Sequence, residues 1–254
     1  MDLRILGCFG GALPGHRTTN FLVNRHTAID AGALAHALTF DEQRSLRHVL
    51  ITHAHLDHTG GLPFVVDNVF GQQEKPLDVY SISPVIESMK RHLFNDDTWP
   101  DFSKLPTEKN PVLRFHEIEA GKPFEIEGVR YTAIPVNHIV PCVGYLIDGG
   151  ASSVLFSSDT GPCPALYERA NAVPNLRALI TEVSFPNSMQ DIADLSRHLT
   201  PRGLARELAQ LERRVDVLLY HLKPPFVETL HAEVHELGLD FVRCLDQDAT
   251  YTFE

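Results

Sequence analysis

Short runs of apolar and β-branched residues recur along the chain, and several end on a group that binds metals or protons. Val49-Leu50-Ile51-Thr52 ends at His53, and Tyr131-Thr132-Ala133-Ile134-Pro135-Val136 leads into Asn137-His138. Val154-Leu155-Phe156-Ser157-Ser158 leads into Asp159, and Val217-Leu218-Leu219-Tyr220 ends at His221. Runs this short and this rich in branched residues read as strands. Strands ending in such groups build a site along one sheet edge, where a rigid frame holds side chains far apart in sequence at fixed separations. Further strands are expected at residues 3–6, 20–24 and 27–30, and strand-like alternation continues through 129–133 and 143–147.

Helical spacing fills much of the rest. Residues 41–47 predict one helix, and another begins at Gly60 or Leu62, which leaves the segment before it as a strand-to-helix loop. Val85, Ile86, Met89 and Leu93 share a helix face, with Ser83 as the expected N-cap and Pro84 as the first helical residue. Thr200-Pro201 opens a further helix with Leu204, Leu208 and Leu211 on its apolar side. Residues 95–111 hold Trp99, prolines and mixed charge without any period; such a stretch is either a lid or pocket wall, or a plain surface loop. The pattern by itself predicts a mixed α/β chain, folded as one domain over 1–254.

The densest chemistry lies just after Thr52, where His53, His55, Asp57 and His58 fall within six positions. Imidazoles and carboxylates are the ligands of zinc and its first-row neighbours. His53 and His55 converge on one ion where the backbone turns, and Asp57 and His58 then face a second. Crowding these groups together is costly unless cations neutralise them.

This HxHxDH cluster, followed by His138, Asp159 and His221, resembles the metallo-β-lactamase superfamily. The resemblance implies an αββα sandwich of two mixed sheets with outer helices, and two divalent metal ions. Zinc (Zn2+) is the default, and manganese (Mn2+) or iron (Fe2+) suits the same donors. It assigns His53, His55 and His138 to the first ion, Asp57, His58 and His221 to the second, and Asp159 to both. Five segments narrow it further: His55-Leu56-Asp57-His58, Ser158-Asp159-Thr160-Gly161-Pro162, Glu182-Val183-Ser184-Phe185-Pro186, His198-Leu199-Thr200-Pro201 and His221-Leu222-Lys223-Pro224. They look like the class II cyclic-nucleotide phosphodiesterases.

That likeness implies hydrolysis of 3′,5′-cyclic nucleotides (cAMP or cGMP) to 5′-monophosphates by a hydroxide between the two ions. Asp57 would orient the attacking water and take its proton, and His198, paired with Glu182, would protonate the departing O3′. The same two residues also fit a carbonyl cap and a core-edge ion pair. One segment departs from the class II pattern: Thr59-Gly60-Gly61-Leu62-Pro63 is closer to the tRNA 3′-processing endonucleases, which opens the substrate and leaves the metals untouched. Another phosphodiesterase, acting on linear phosphodiesters, cyclic 2′,3′ esters or cyclic dinucleotides, a hydrolase of carboxylic esters, lactones or thioesters, and a non-catalytic metal-binding regulator are the remaining alternatives.

Charge bears on that choice. With 22 basic and 33 acidic residues the chain carries a net charge of −11, which disfavours a long contact with a polyanion such as tRNA and suits a small phosphodiester substrate. No apolar run is long enough to span a membrane, and the first residues lack a signal pattern, so a cytoplasmic protein is expected. The oligomeric state stays open, a homodimer included.

Cys8, Cys142, Cys163 and Cys244 lie far apart and read as free thiols; Cys142 and Cys163, each four residues beyond a proposed ligand, either line the site or are buried small residues. Residues 7–18 form a glycine-rich loop without a P-loop ending, expected as a turn beside the site with His16 on its surface. His231 and His235 stand in the order His-Ala-Glu-Val-His and predict a solvated helix face. Asn137 has two readings, phosphate contact or turn.

Overall fold

Adjacent residues in the run Val217-Leu218-Leu219-Tyr220 have opposite destinations. Leu218 and Tyr220 pack between two sheets, whereas Val217 and Leu219 point outward onto helices. Leu155 and Leu179 face outward in the same way, while Val154, Phe156, Ala178 and Ile180 face the other sheet. A strand apolar on both faces must lie between two apolar layers. The computed structural model, which describes all 254 residues, arranges those layers as helix, sheet, sheet, helix. This is the expected αββα sandwich.

The strands are β1 (Asp2–Gly7), β2 (Asn20–Val23), β3 (Thr27–Ile29), β4 (His48–Leu50), β5 (Leu77–Ser81), β6 (Pro106–Thr107), β7 (Asn110–Pro111) and β8 (Leu113–Glu117). There follow β9 (Pro123–Ile126), β10 (Val129–Pro135), β11 (Val143–Asp148), β12 (Ser153–Phe156), β13 (Leu176–Glu182), β14 (Asp216–Tyr220), β15 (Val242–Cys244) and β16 (Thr250–Thr252). One sheet has the order β16-β1-β2-β3-β4-β5-β8 and the other β15-β14-β13-β12-β11-β10-β9, with β6 and β7 as a separate pair. Both sheets are mixed. Strands β1 to β3 and β9 to β12 pair antiparallel with their neighbours, and β3-β4-β5-β8 and β12-β13-β14-β15 run parallel.

Strand direction decides where the polar ends gather. β10 is antiparallel to β11 and β11 to β12, so β10 points the same way as β12, β13 and β14. Their C-terminal ends therefore emerge together, carrying His138, Asp159, Glu182 and His221. His53 comes from the other sheet, beyond β4. The single sheet edge expected from the sequence is thus a seam shared by two sheets.

Three local readings are corrected. Leu56–Thr59 forms a helical turn of its own before the helix Leu62–Val69, so Asp57 and His58 sit on a helix and not on a loop. The helix Ser83–His92 starts one residue early: Ile82 is the N-cap, and the Ser83 hydroxyl makes no capping bond. The helix expected at 41–47 spans Phe40–Ser45, where Thr39 and Glu42 form a reciprocal capping box that fixes its start. The helix after Thr200 starts as expected, with the Thr200 hydroxyl accepting from the Gly203 N–H. The stretch 95–111 packs on the helix Leu62–Val69 through Trp99 against Phe64 and Phe102 against Phe70, at ring separations of 5.3 and 5.7 Å.

Candidate active site

All seven expected ligands converge. Potential donor atoms of His53, His55 and His138 lie within 4.8 Å of one another, as do those of Asp57, His58, Asp159 and His221. In the first group the His53 Nε2 and His138 Nε2 approach His55 Nδ1 at 3.0 and 3.3 Å. In the second, Asp159 Oδ2 lies 3.3 Å from His58 Nε2 and 3.1 Å from His221 Nε2, and also 3.8 Å from His53 Nε2 in the first. Asp159 therefore stands between the groups. Asp57 Oδ2 is 3.3 Å from His221 Nε2.

The backbone around these groups is unusual. Asp30, Ser158, Arg197 and His221 adopt positive φ of 58°, 57°, 53° and 65°, a region that non-glycine residues enter at a cost. All four touch or adjoin the converging side chains. Gly32 packs so tightly that a Cβ there would lie 1.9 Å from the Asp57 carbonyl oxygen, and a Cβ on Gly10 would meet the His221 ring at 2.7 Å. The glycine-rich loop thus borders the site, as expected, with Lys223 Nζ donating to the Gly10 carbonyl at 2.7 Å. His16 rests edge-on against Phe9 and takes no part.

In four of the five histidines the ring nitrogen that faces away from the centre is held. His53 Nδ1 meets the Thr52 hydroxyl at 3.0 Å, His58 Nδ1 the Asp30 carboxylate at 2.7 Å, and His221 Nδ1 the Ser184 hydroxyl at 2.9 Å. His138 Nδ1 faces the Arg197 carbonyl at 3.4 Å, while the Arg197 guanidinium donates back to the His138 carbonyl at 2.6 Å. Outer bonds of this kind fix the tautomer and aim the other nitrogen inward. His58 Nε2, fully buried, makes no well-formed hydrogen bond, although Asp159 Oδ2 lies 3.3 Å away. A buried orphan nitrogen aimed at two carboxylates, beside three imidazoles that converge nitrogen to nitrogen, fits a pair of divalent cations. The donor set suits them.

Electrostatics splits the two groups. Burial pushes His53 well below its ordinary pKa and His138 down to about 4, and lowers His55, so these three rings are neutral with lone pairs available. In the other group burial opposes charge on His58, but Asp159 and Asp30 outweigh it and hold the ring well above its usual value. Burial likewise opposes ionisation of Asp57 and Asp159; the hydrogen bond from His221 holds Asp57 low, and the charges of His221 and His58 hold Asp159 low. The space among these carboxylates calls for positive charge.

Beside this centre, His198 Nδ1 lies 2.6 Å from Glu182 Oε1, both side chains being buried. Burial pushes His198 down, yet Glu182 raises it above its ordinary value, which favours the protonated form. The pairing expected from the sequence is thus present in space, and His198 is also within reach of His138 and Asp159.

The thiols and amide resolve as structure. Cys142 is buried behind Asp159 with its sulfur 3.2 Å from the Ser158 hydroxyl, and Cys163 is buried with its N–H donating to Glu207. Asn137 takes the turn role, its Nδ2 donating to the Pro162 carbonyl at 2.9 Å. His231 and His235 lie on the exposed face of the helix Val227–Glu236.

Three residues were missed in the sequence: Asp30, Ser184 and Arg197. Asp30 had the same signal as the others, an apolar run Ala28-Ile29 ending in a carboxylate. Ser184 lay within the segment Glu182-Val183-Ser184-Phe185-Pro186 with nothing to mark a role of its own, and Arg197 had no signal.

Residues 19–221 match the Beta-lactamase superfamily domain. A probable 3′,5′-cyclic-nucleotide phosphodiesterase from Yersinia pestis is 28% identical over 85% of this chain and 69% of its own. A 3′,5′-cyclic-nucleotide phosphodiesterase from Aliivibrio fischeri is 24% identical over 95% of this chain and 89% of its own. Ribonuclease Z from Mycobacterium bovis is similar over a shorter stretch, 28% identical across 49% of this chain and 48% of its own. The crystal structure of unliganded yeast PDE1 shares the fold, with a TM-score of 0.81 and 18% identity over 98% of both chains.

Proposed function

We propose that this chain, which belongs to the beta-lactamase superfamily, is a phosphodiesterase that hydrolyses 3′,5′-cyclic nucleotides such as cAMP and cGMP to 5′-monophosphates. Membership makes it a metal-dependent hydrolase of the metallo-β-lactamase fold, and the named phosphodiesterase relatives imply a small phosphodiester substrate. The observation that carries the finer reading is the Glu182–His198 pair at 2.6 Å beside the ligand cluster. A sugar alkoxide is a poor leaving group and needs a proton as it departs, whereas a thiolate does not.

The residues divide the work by position. His53, His55 and His138 would hold one ion, Asp57, His58 and His221 the other, and Asp159 both. Two divalent cations, zinc by default, would supply Lewis acidity toward the phosphoryl oxygens and lower the pKa of water held there toward neutrality. Asp57, held ionised, orients the attacking water and takes its proton. As the P–O3′ bond breaks, His198 gives a proton to O3′ from Nε2, the nitrogen that Glu182 leaves free. Glu182 keeps the ring aligned and offsets its charge. Solvent then returns the proton from Asp57 to His198, and the water oxygen stays on phosphorus.

Incubation of metal-quantified protein with cAMP and cGMP, with Asp159→Ala as control, tests this reading by chromatography of the products. Formation of 5′-monophosphates that the substitution abolishes is the expected result. Inert cyclic nucleotides with about two ions bound per chain would sink it; cleavage of a tRNA precursor or of a lactone under those conditions would replace it.

A further inference from the structure

We infer that Ser184 is a positioning residue that joins the proton donor His198 to the proposed metal ligand His221. The inference rests on the reading of His198 given above. Ser184 is fully buried, and its Oγ lies 2.5 Å from Glu182 Oε2, 2.9 Å from His221 Nδ1 and 3.3 Å from His198 Nδ1. A hydroxyl has one proton to give and lone pairs to accept with. An ionised carboxylate only accepts, so the Ser184 O–H points to Glu182. His221 must then carry its proton on Nδ1 and donate it to Ser184. With Nδ1 so fixed, Nε2 is the nitrogen that faces Asp57 and Asp159 at 3.3 and 3.1 Å, and a cation there would displace any proton it carries.

The same hydroxyl completes the seat of Glu182. Oε1 accepts from the Thr160 N–H at 3.0 Å and from His198 Nδ1 at 2.6 Å; Oε2 accepts from Ser184 and from the Leu199 N–H at 3.3 Å. Both oxygens are held from two directions, in a site with no water contact. A carboxylate pinned in this way presents one fixed oxygen to His198. Without the hydroxyl, Glu182 loses its shortest bond and His221 is free to move its proton to the inward nitrogen. Ser184 thereby sets the tautomer on the metal side and the ring orientation on the donor side.

The test pairs a spectrum with a comparison of leaving groups. In zinc-loaded wild-type protein, long-range nitrogen–proton correlation spectra should show His221 protonated at Nδ1; a proton on Nε2 overturns the assignment whatever the kinetics. Ser184→Ala at saturating zinc should lower kcat by roughly 10- to 100-fold on a phosphodiester with an alkoxide leaving group. Hydrolysis of a 4-nitrophenyl diester, whose leaving group needs no proton, should fall by clearly less, by the share that the His221 side contributes. Ser184→Thr keeps the hydroxyl and should restore the alkoxide rate. Equal loss on both substrates, or no loss on either, refutes the positioning role. If wild-type protein leaves cyclic nucleotides intact, the substrate reading fails, while the His221 spectrum still decides the Ser184 assignment. If Ser184→Ala does not fold, the spectrum and the threonine variant decide it.

Discussion

Asp30 offers a sharp test of the metal reading, because it touches no proposed ion. It is fully buried; Oδ1 accepts from the Thr52 N–H at 2.8 Å, and Oδ2 accepts from His58 Nδ1 at 2.7 Å. Asp30→Asn preserves the shape and the bond to the Thr52 N–H, but places an amide donor against His58 Nδ1. His58 then prefers the tautomer with its proton on Nε2, the nitrogen that faces Asp159 Oδ2 at 3.3 Å. Binding a cation there requires moving that proton to Nδ1, where it confronts the new amide. The lost charge-assisted bond is worth about 1.5–3 kcal/mol. At about 1.4 kcal/mol per tenfold, the affinity of the His58 side should fall by roughly ten- to a hundredfold. Titration of metal-free protein against a chromophoric chelator resolves two ions of different affinity, and circular dichroism checks the fold. The expected result is a selective loss at one ion, with the site of His53, His55 and His138 unchanged. Equal weakening of both ions, or of neither, refutes the argument.

The donor pair predicts a pH signature. Glu182 raises the pKa of His198, so the protonated donor persists above the ordinary histidine range and turnover falls only as pH rises through that raised value. Glu182→Gln removes the charge that raises it, so the alkaline limb of kcat should move to lower pH and activity at pH 8 should drop by about 10²-fold or more; a limb that stays in place counts against His198 as donor. The thiols predict inertness: burial pushes Cys8 up to about 12 and Cys244 up to about 11, and Cys142 is raised as well. Folded protein at pH 8 should resist iodoacetamide at all three, as read by mass spectrometry, and rapid labelling of Cys142 would show that the region behind Asp159 opens.

Much of the site was legible in the chain because its signals are local. His53, His55, Asp57 and His58 crowd one segment, and His138, Asp159 and His221 each close a run of apolar residues; the unbroken apolar run Val217-Leu218-Leu219-Tyr220 already points to burial on two faces. Such patterns arise from neighbours in sequence, and helix starts such as Thr200-Pro201 follow from the same near-range chemistry. The sandwich came from family likeness, since the pattern alone supported only mixed α and β.

Tertiary structure decided what depends on partners far along the chain. His221 meets Asp57 across 164 residues and Ser184 across 37, and no local rule says which ring nitrogen will face which group. That choice follows from strand direction and register, which bring β10, β12, β13 and β14 out at one end and set β4 of the other sheet opposite them. The same closure set Asp30 behind His58. Sequence supplies the donors, because residue type is local; the fold assigns each proton, because hydrogen-bond partners are not.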